Sequence, residues 1–313
     1  MKKLIVAAAL AAVFGLAGCN LGTSGFGTIT IPGEWPPSNY RPGDRLPIGP
    51  EDLDMGEIRV GGQPQTFLMG SPTDEIGRAN DGREDQRSVT ISAGFWISET
   101  PVTVAQWYAV MGSIPSDFPT FPGDAPGRRP VTVVSWFDAL VFANRLSESE
   151  GFTPAYMING STNPGHWGDV PRLGNLANID AWLAVQIVPG SDGFRLPTDA
   201  QWEFAARAGT TTAFSNGTQD WTNRESLDRI GWFDFNSGGV PREVMRKEPN
   251  PWGLYDIHGN VEEWVWDLYG ENRRMTRGGN VFSSGQFARS AYKFRDLFSF
   301  TEPASAGFRL VRP

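Results

Sequence analysis

The residues able to do covalent or soft-metal chemistry in this chain are few: one cysteine, Cys19, and two histidines, His166 and His258, in 313 residues. A thiolate site or a His-rich iron site needs more ligands than these, and neither histidine sits in a recognisable nucleophile motif. What the sequence offers instead is aromatic surface. Between Asn280 and Ala306 it reads NVFSSGQFARSAYKFRDLFSFTEPASA, and Phe282, Phe287, Phe294, Phe298 and Phe300 follow neither helical nor strand spacing. Rings set among Ser, Gly, Asp and Thr in this way are expected to be exposed in part, where they supply contact area at low entropic cost. The segment is read as a recognition surface whose contacts are Val281, Phe282, Ser283, Ser284, Gln286, Phe287, Lys293, Phe294, Asp296, Phe298 and Phe300. The competing reading buries the rings as plugs of the core.

Several short elements must position that segment. Phe67 to Ser71 reads as a strand entering a turn, and Ser88 to Ser98 alternates enough to be another. Thr103 caps a predicted helix through about Met111, and a second follows Ser135 over Trp136 to Glu148. Thr198 with Gln201 three residues on has capping-box spacing, and Trp202, Phe204, Ala205 and Ala206 supply the apolar face behind it. Long Gly/Pro/Asn stretches, 151–193 and 209–251, separate these helices. Much of the fold is therefore expected to be ordered irregular loop.

The N-terminus carries Lys2 and Lys3, then an apolar run from Leu4 to Leu16, too short for the roughly 20 residues that span a bilayer. Leu16-Ala17-Gly18-Cys19 resembles the lipobox of bacterial lipoproteins, which implies a signal peptide over residues 1–19 and acylation of Cys19. The mature chain then has no thiol. Residues 20–57, with Pro32, Pro36, Pro37, Pro42, Pro47 and Pro50, read as an extended tether, and residues 58–313 as the folded domain. A composition of 40% hydrophobic and 20% charged residues suits a chain that buries a core, and a net charge of −8 with no basic run argues against a nucleic-acid partner.

A series of motifs in register carries a family resemblance. Phe67-Leu68-Met69-Gly70-Ser71, Glu99-Thr100-Pro101-Val102-Thr103, Arg129-Pro130-Val131, Gly193-Phe194-Arg195-Leu196-Pro197-Thr198, Asn250-Pro251-Trp252-Gly253-Leu254-Tyr255-Asp256, Gly259-Asn260-Val261, Glu263-Trp264, Arg277-Gly278-Gly279 and Gly307-Phe308-Arg309 occur in the order of the formylglycine-generating enzyme (sulfatase-modifying factor) family. The resemblance implies an α+β, elaborated C-type-lectin-like fold: a small twisted antiparallel sheet, few short helices and much ordered loop. It also implies an oxidase, but the family's copper-binding cysteine pair falls near Ser283 and Ala288, so neither copper nor oxidase activity is expected. The loop Asp256 to Glu263 resembles the family's structural calcium site, with Asp256 and Glu263 acting alongside the carbonyls of Gly259 and Val261. The alternative for that loop is that Asp256 caps the turn and Glu263 pairs with an arginine such as Arg309.

The C-terminal frame is further similar to the variable regions of retroelement-diversified proteins, spirochaete surface proteins among them. In that mechanism adenine-rich codons become NNC codons, which exclude Trp, Met, Gln, Glu and Lys. Val281, Phe282, Ser283, Ser284, Phe287, Phe294, Asp296, Phe298 and Phe300 pass this filter, whereas Gln286, Lys293 and Glu302 do not. The expectation is a surface-displayed ligand-binding lipoprotein of the bacterial cell envelope, anchored by its lipid to the outer membrane, with a variable region at 280–306 and a protein or glycan partner. A formylglycine-generating-like enzyme and a structural envelope protein are the alternatives.

Overall fold

Three helices begin where a hydroxyl side chain closes a capping box. The Thr103 hydroxyl accepts from the Gln106 amide and the Thr103 amide donates to Gln106 Oε1 in return, opening α1 (Val104–Met111). Ser135 and Asp138 do the same for α2 (Trp136–Glu150), and Thr198 and Gln201 for the helix over Asp199–Arg207. Each box satisfies two otherwise orphaned amide groups and fixes the entry angle of the chain. The computed structural model describes residues 55–58, 64–115, 126–269 and 273–313. Cys19, the signal peptide and most of the expected tether lie outside them.

The first sheet has the order β1 (Met55–Ile58), β4 (Phe95–Ser98), β11 (Val311–Arg312), antiparallel throughout. Strand β1 starts within the stretch read as tether, because Met55 to Ile58 pairs with Ser98 to Phe95. Residues 88–98 are two strands rather than one. Strand β3 (Arg87–Ile91) forms a separate ribbon with β2 (Gln65–Met69), and the break at Ser92-Ala93-Gly94 redirects the chain into β4. Ile91, Phe95, Ile97, Leu254 and Val311 close one core with Phe204. A second aromatic core joins α1 and α2: Trp107 stacks on Phe142 at 5.6 Å, and Phe308 meets both rings edge-on. Rings buried to this extent each contribute roughly 1.5–3 kcal/mol.

The second sheet has the order β10 (Ala306–Gly307), β7 (Glu262–Tyr269), β8 (Arg273–Arg277), β9 (Phe294–Phe298). It departs from the antiparallel expectation at one edge, where β10 runs parallel to β7, Gly307 opposite Glu263. The reason is that β10 does not follow β9 by a hairpin: the chain crosses from β9 at one edge of the sheet to β10 at the other, beside β7. A small ribbon of β5 (Tyr156–Met157) and β6 (Gln186–Ile187) and two further helices, α3 (Ile179–Leu183) and α5 (Arg224–Ile230), sit within the long loops, on either side of the capped helix α4 (Asp199–Arg207). The architecture is α+β, small sheets with short helices and extensive ordered loop.

Candidate functional site

The excursion that follows β8 is held by buried charges. Arg277 is fully buried; its Nε donates to Asp199 Oδ1 at 2.6 Å and its Nη2 to Glu203 Oε2 at 3.0 Å. Its Nη1 donates to the carbonyls of Ser290 and Tyr292 at 2.9 and 3.0 Å, so one side chain ties α4 to the middle of the segment. Lys293 Nζ reaches Asp199 Oδ2 at 2.8 Å. Burial alone would push the Asp199 carboxyl up, but the adjacent Arg277 and Lys293 outweigh it and hold the group below its ordinary range. Glu203 also accepts from Arg207 Nε at 3.0 Å and from the amide of Gly70 at 2.6 Å, extending the network to the loop after β2.

Arg289 is the second anchor. Its guanidinium is buried between Glu75 and Glu84, with 2.8 Å and 3.0 Å contacts to the two Glu84 oxygens and a 2.7 Å bond to the Gly77 carbonyl. Gln286 Nε2 donates to that same carbonyl at 3.1 Å, and Arg83 reaches the Lys293 carbonyl at 3.2 Å. Gly77 has φ +86, and a Cβ there would lie 2.8 Å from the Trp221 ring and 2.9 Å from Gln286 Cγ. Only glycine permits that approach.

His258 is the third anchor. Its Nδ1 lies 2.8 Å from the Ala288 carbonyl and so must donate, which leaves Nε2 to accept from the Ser215 amide at 3.2 Å and hydroxyl at 3.0 Å. Burial pushes its pKa down to about 4. The side chain is thus neutral and fully engaged. His166 is exposed, 3.1 Å from Ser161 Oγ.

On these anchors the segment presents a smaller surface than its sequence predicts. Phe282 and Phe287 are exposed, by 59% and 38%, and Ser283, Ser284, Gln286 and Phe294 are half-buried. Four expected contacts are not on that surface. Val281 is wholly buried, its amide bonded to the Asn260 carbonyl; Lys293 is consumed by Asp199. Phe298 and Phe300 are buried and stacked on each other at 5.2 Å, because the end of β9 turns its rings under the sheet. For these two the core-plug reading is the correct one. The side chain of Asp296 lies outside the described residues. Sequence reasoning missed the contribution of the loop after β2, whose Ile76, 52% exposed, stands next to the Gly77 that touches Gln286. The isolated Gly77 among polar residues was the available signal.

Of the two residues near which the cysteine pair was expected to fall, Ser283 bonds Asn280 through its Oγ, and Ala288 is buried with its carbonyl on His258. The calcium expectation fares poorly on the donor set. Glu263 Oε2 accepts from Arg309 Nε and Trp202 Nε1, both at 2.6 Å, and Oε1 accepts from Arg309 Nη2 at 2.7 Å. Asp256 accepts from the Met245 amide at 3.0 Å and from Asn260 Nδ2 at 3.1 Å, and burial raises its pKa to about 6. Both carboxyls of the set Asp256, Gly259, Val261 and Glu263 are turned to protein donors, so the residues do not fit a calcium ion; the capped-turn alternative describes them.

Two of these groups oppose each other in acid. His258, depressed from 6.5 to about 4, loses about 3 kcal/mol of stabilisation as pH falls through that window. Asp256, raised from 3.8 to about 6, recovers about 3 kcal/mol over nearly the same window, since its native form holds the proton that the unfolded chain has released. Their sum is nearly level. The expected signature is in His258→Gln: urea unfolding at pH 7 and pH 4 should show the gap between wild type and variant shrinking by about 3 kcal/mol toward acid. An unchanged gap would mean that His258 is not buried neutral.

Comparison with known proteins places this geometry. The sulfatase-modifying factor enzyme 1-like domain matches residues 56–313. A chaperone protein, LppX, of Paenibacillus barcinonensis is 32% identical over 249 residues, 72% of this chain and 82% of that protein. The mouse inactive C-alpha-formylglycine-generating enzyme 2 is 27% identical over 68% of this chain and 71% of its own. Among solved structures, Treponema denticola variable protein 1 superposes with a TM-score of 0.65 at 30% identity, covering 83% of this chain and 95% of that one. Among the described residues no helix is long and apolar enough to cross a membrane.

Proposed function

Because the chain belongs to the sulfatase-modifying factor enzyme 1-like family yet has Cys19 as its one cysteine, too few for a copper-binding pair, we propose that it is a non-enzymatic ligand-binding lipoprotein of the bacterial cell envelope, held by acylated Cys19 and displayed at the outer surface. The observation that carries this reading is the pair of exposed rings, Phe282 and Phe287, on a backbone pinned by Arg277, Arg289 and His258. Large apolar groups facing water on a rigid support are what a recognition surface needs, because little conformational freedom is left to lose on binding. Ser283, Ser284 and Gln286 supply adaptable hydrogen bonds between the rings. The partner is a protein or glycan, and Phe282, Ser283, Ser284 and Phe287 are the positions at which retroelement diversification would change it. The likeness to a variable protein of Treponema denticola supports a segment that varies, and Leu16-Ala17-Gly18-Cys19 supports the lipoprotein.

Two measurements test the proposal. A glycan array and a panel of purified surface proteins are probed with the wild-type chain and with Phe282→Ala/Phe287→Ala. Each ring is expected to contribute about 2 kcal/mol, roughly thirtyfold in affinity, while the double substitution, which removes two partly buried rings, costs roughly 1–3 kcal/mol of stability and leaves the fold intact. A ligand whose affinity survives the double substitution does not use this face. Sequencing the 3′ end of the gene across isolates tests diversification: differences should gather at the codons of Phe282, Ser283, Ser284 and Phe287, with Arg277, Arg289 and Arg309 fixed. Differences spread evenly, or none, would remove the retroelement from the account.

A further inference from the structure

The cage around Arg309 has the composition of a cation site. Five oxygens converge on the guanidinium: Glu263 Oε2 at 2.6 Å from Nε, Glu263 Oε1 at 2.7 Å and the Tyr255 carbonyl at 3.0 Å from Nη2, and the carbonyls of Ser98 and Glu99 at 3.0 and 3.2 Å from Nη1. An arginine has five N–H donors, and here all five are used. The oxygens come from the end of β4, the turn before Asp256 and the start of β7, while Arg309 itself leads into β11. Carboxylate and carbonyl oxygens gathered from separate loops are also the ligand set that a calcium ion takes.

We infer that the Arg309 guanidinium is the structural cation at Glu263 and that the loop from Asp256 to Glu263 takes no calcium, so that the fold is independent of divalent ions. Three of the acceptor positions of Glu263 are already taken, two on Oε2 by Arg309 Nε and Trp202 Nε1 and one on Oε1 by Arg309 Nη2. A calcium ion at Glu263 would also sit against a like charge that burial cannot remove, because arginine keeps its proton in proteins. The arrangement differs from a metal site in one functional respect: the cation is covalently part of the C-terminal strand, so closing the cage and docking β11 are one event.

The full chain is unfolded thermally in excess EDTA and in millimolar calcium. The midpoints are expected to agree within about 1 °C, whereas an ion bound at 100 times its dissociation constant would raise the midpoint by roughly 5–10 °C. Metal analysis of protein purified from calcium-containing buffer should find far less than one calcium per chain. A calcium-dependent midpoint, or one calcium per chain, overturns the inference. As a second arm, Arg309→Gln is expected to lower the midpoint by roughly 6 °C or more, since it leaves Glu263 buried without its charge partner. A variant that melts with wild type would overturn the inference from the other side. Should the variant not fold, the chelation and metal measurements on the wild-type chain still decide.

Discussion

Replacing Arg277 with alanine is expected to lower the unfolding free energy by about 3–5 kcal/mol, a drop in melting midpoint of roughly 6–20 °C. Asp199 and Glu203 would be left buried without their shared cation, and the carbonyls of Ser290 and Tyr292 without their donor. Lys293 and Arg207 remain to neutralise one carboxylate each, which is why the figure is not larger. Glu203→Gln in the alanine background should add to the loss, because it leaves the buried Arg207 guanidinium without its charge partner. Urea or thermal unfolding of the four proteins of that cycle checks this. A change under about 1 kcal/mol for Arg277→Ala would mean that water reaches the network and screens it.

The second large effect is steric. Gly231→Ala should cost about 3 kcal/mol or more, at the upper end of what overpacking does. A Cβ at that position would lie 1.8 Å from the backbone oxygen of His258 and 2.8 Å from Phe233 Cζ. The obstacle is a main-chain carbonyl in the loop that supports Ala288, so it cannot swing aside as a flexible side chain would. Gly231 itself is extended and needs no left-handed backbone; the requirement is for space alone. Denaturant midpoints for Gly231→Ala and for Gly112→Ala, where nothing lies within 4 Å of the added methyl, separate the two causes. Gly112 has φ +77, so its substitution reports backbone strain of roughly 1 kcal/mol instead. Equal losses at the two positions would contradict the packing argument.

How far the sequence could be read depended on the distance between partners. The starts of three helices were legible at Thr103, Ser135 and Thr198, and one capping box at Thr198 and Gln201, because the residues that form each cap lie three apart. The α+β character with small sheets and long ordered loops was legible for the same reason, as a sum of local turns and caps. What escaped was set by groups far apart in the chain. Nothing near Lys293 indicates that its ammonium will be buried against Asp199, and nothing near Arg289 announces Glu75 and Glu84, since Arg78, Arg83 and Arg87 lie closer in sequence to those carboxylates. Phe298 and Phe300 were misjudged because exposure was inferred from polar neighbours, whereas the edge strand decides which way each ring turns. Phe282 and Phe287 were judged well because they sit in a non-strand stretch around a short 3-10 turn, where no sheet face claims them.

The first sheet sets the order of events in the life of the chain. Its central strand, β4, is made early, yet one of its two neighbours is β11, and Arg195 also waits for Val311 to complete its bridge. A ribosome that has reached residue 300 has therefore released a chain whose core cannot yet close, with Ile97 facing an absent partner and the oxygens around Glu263 facing no guanidinium. Pairings across such sequence separations form late and slowly. The sheet that organises the first core and the cage around Arg309 therefore close in one late step, when β11 reaches β4.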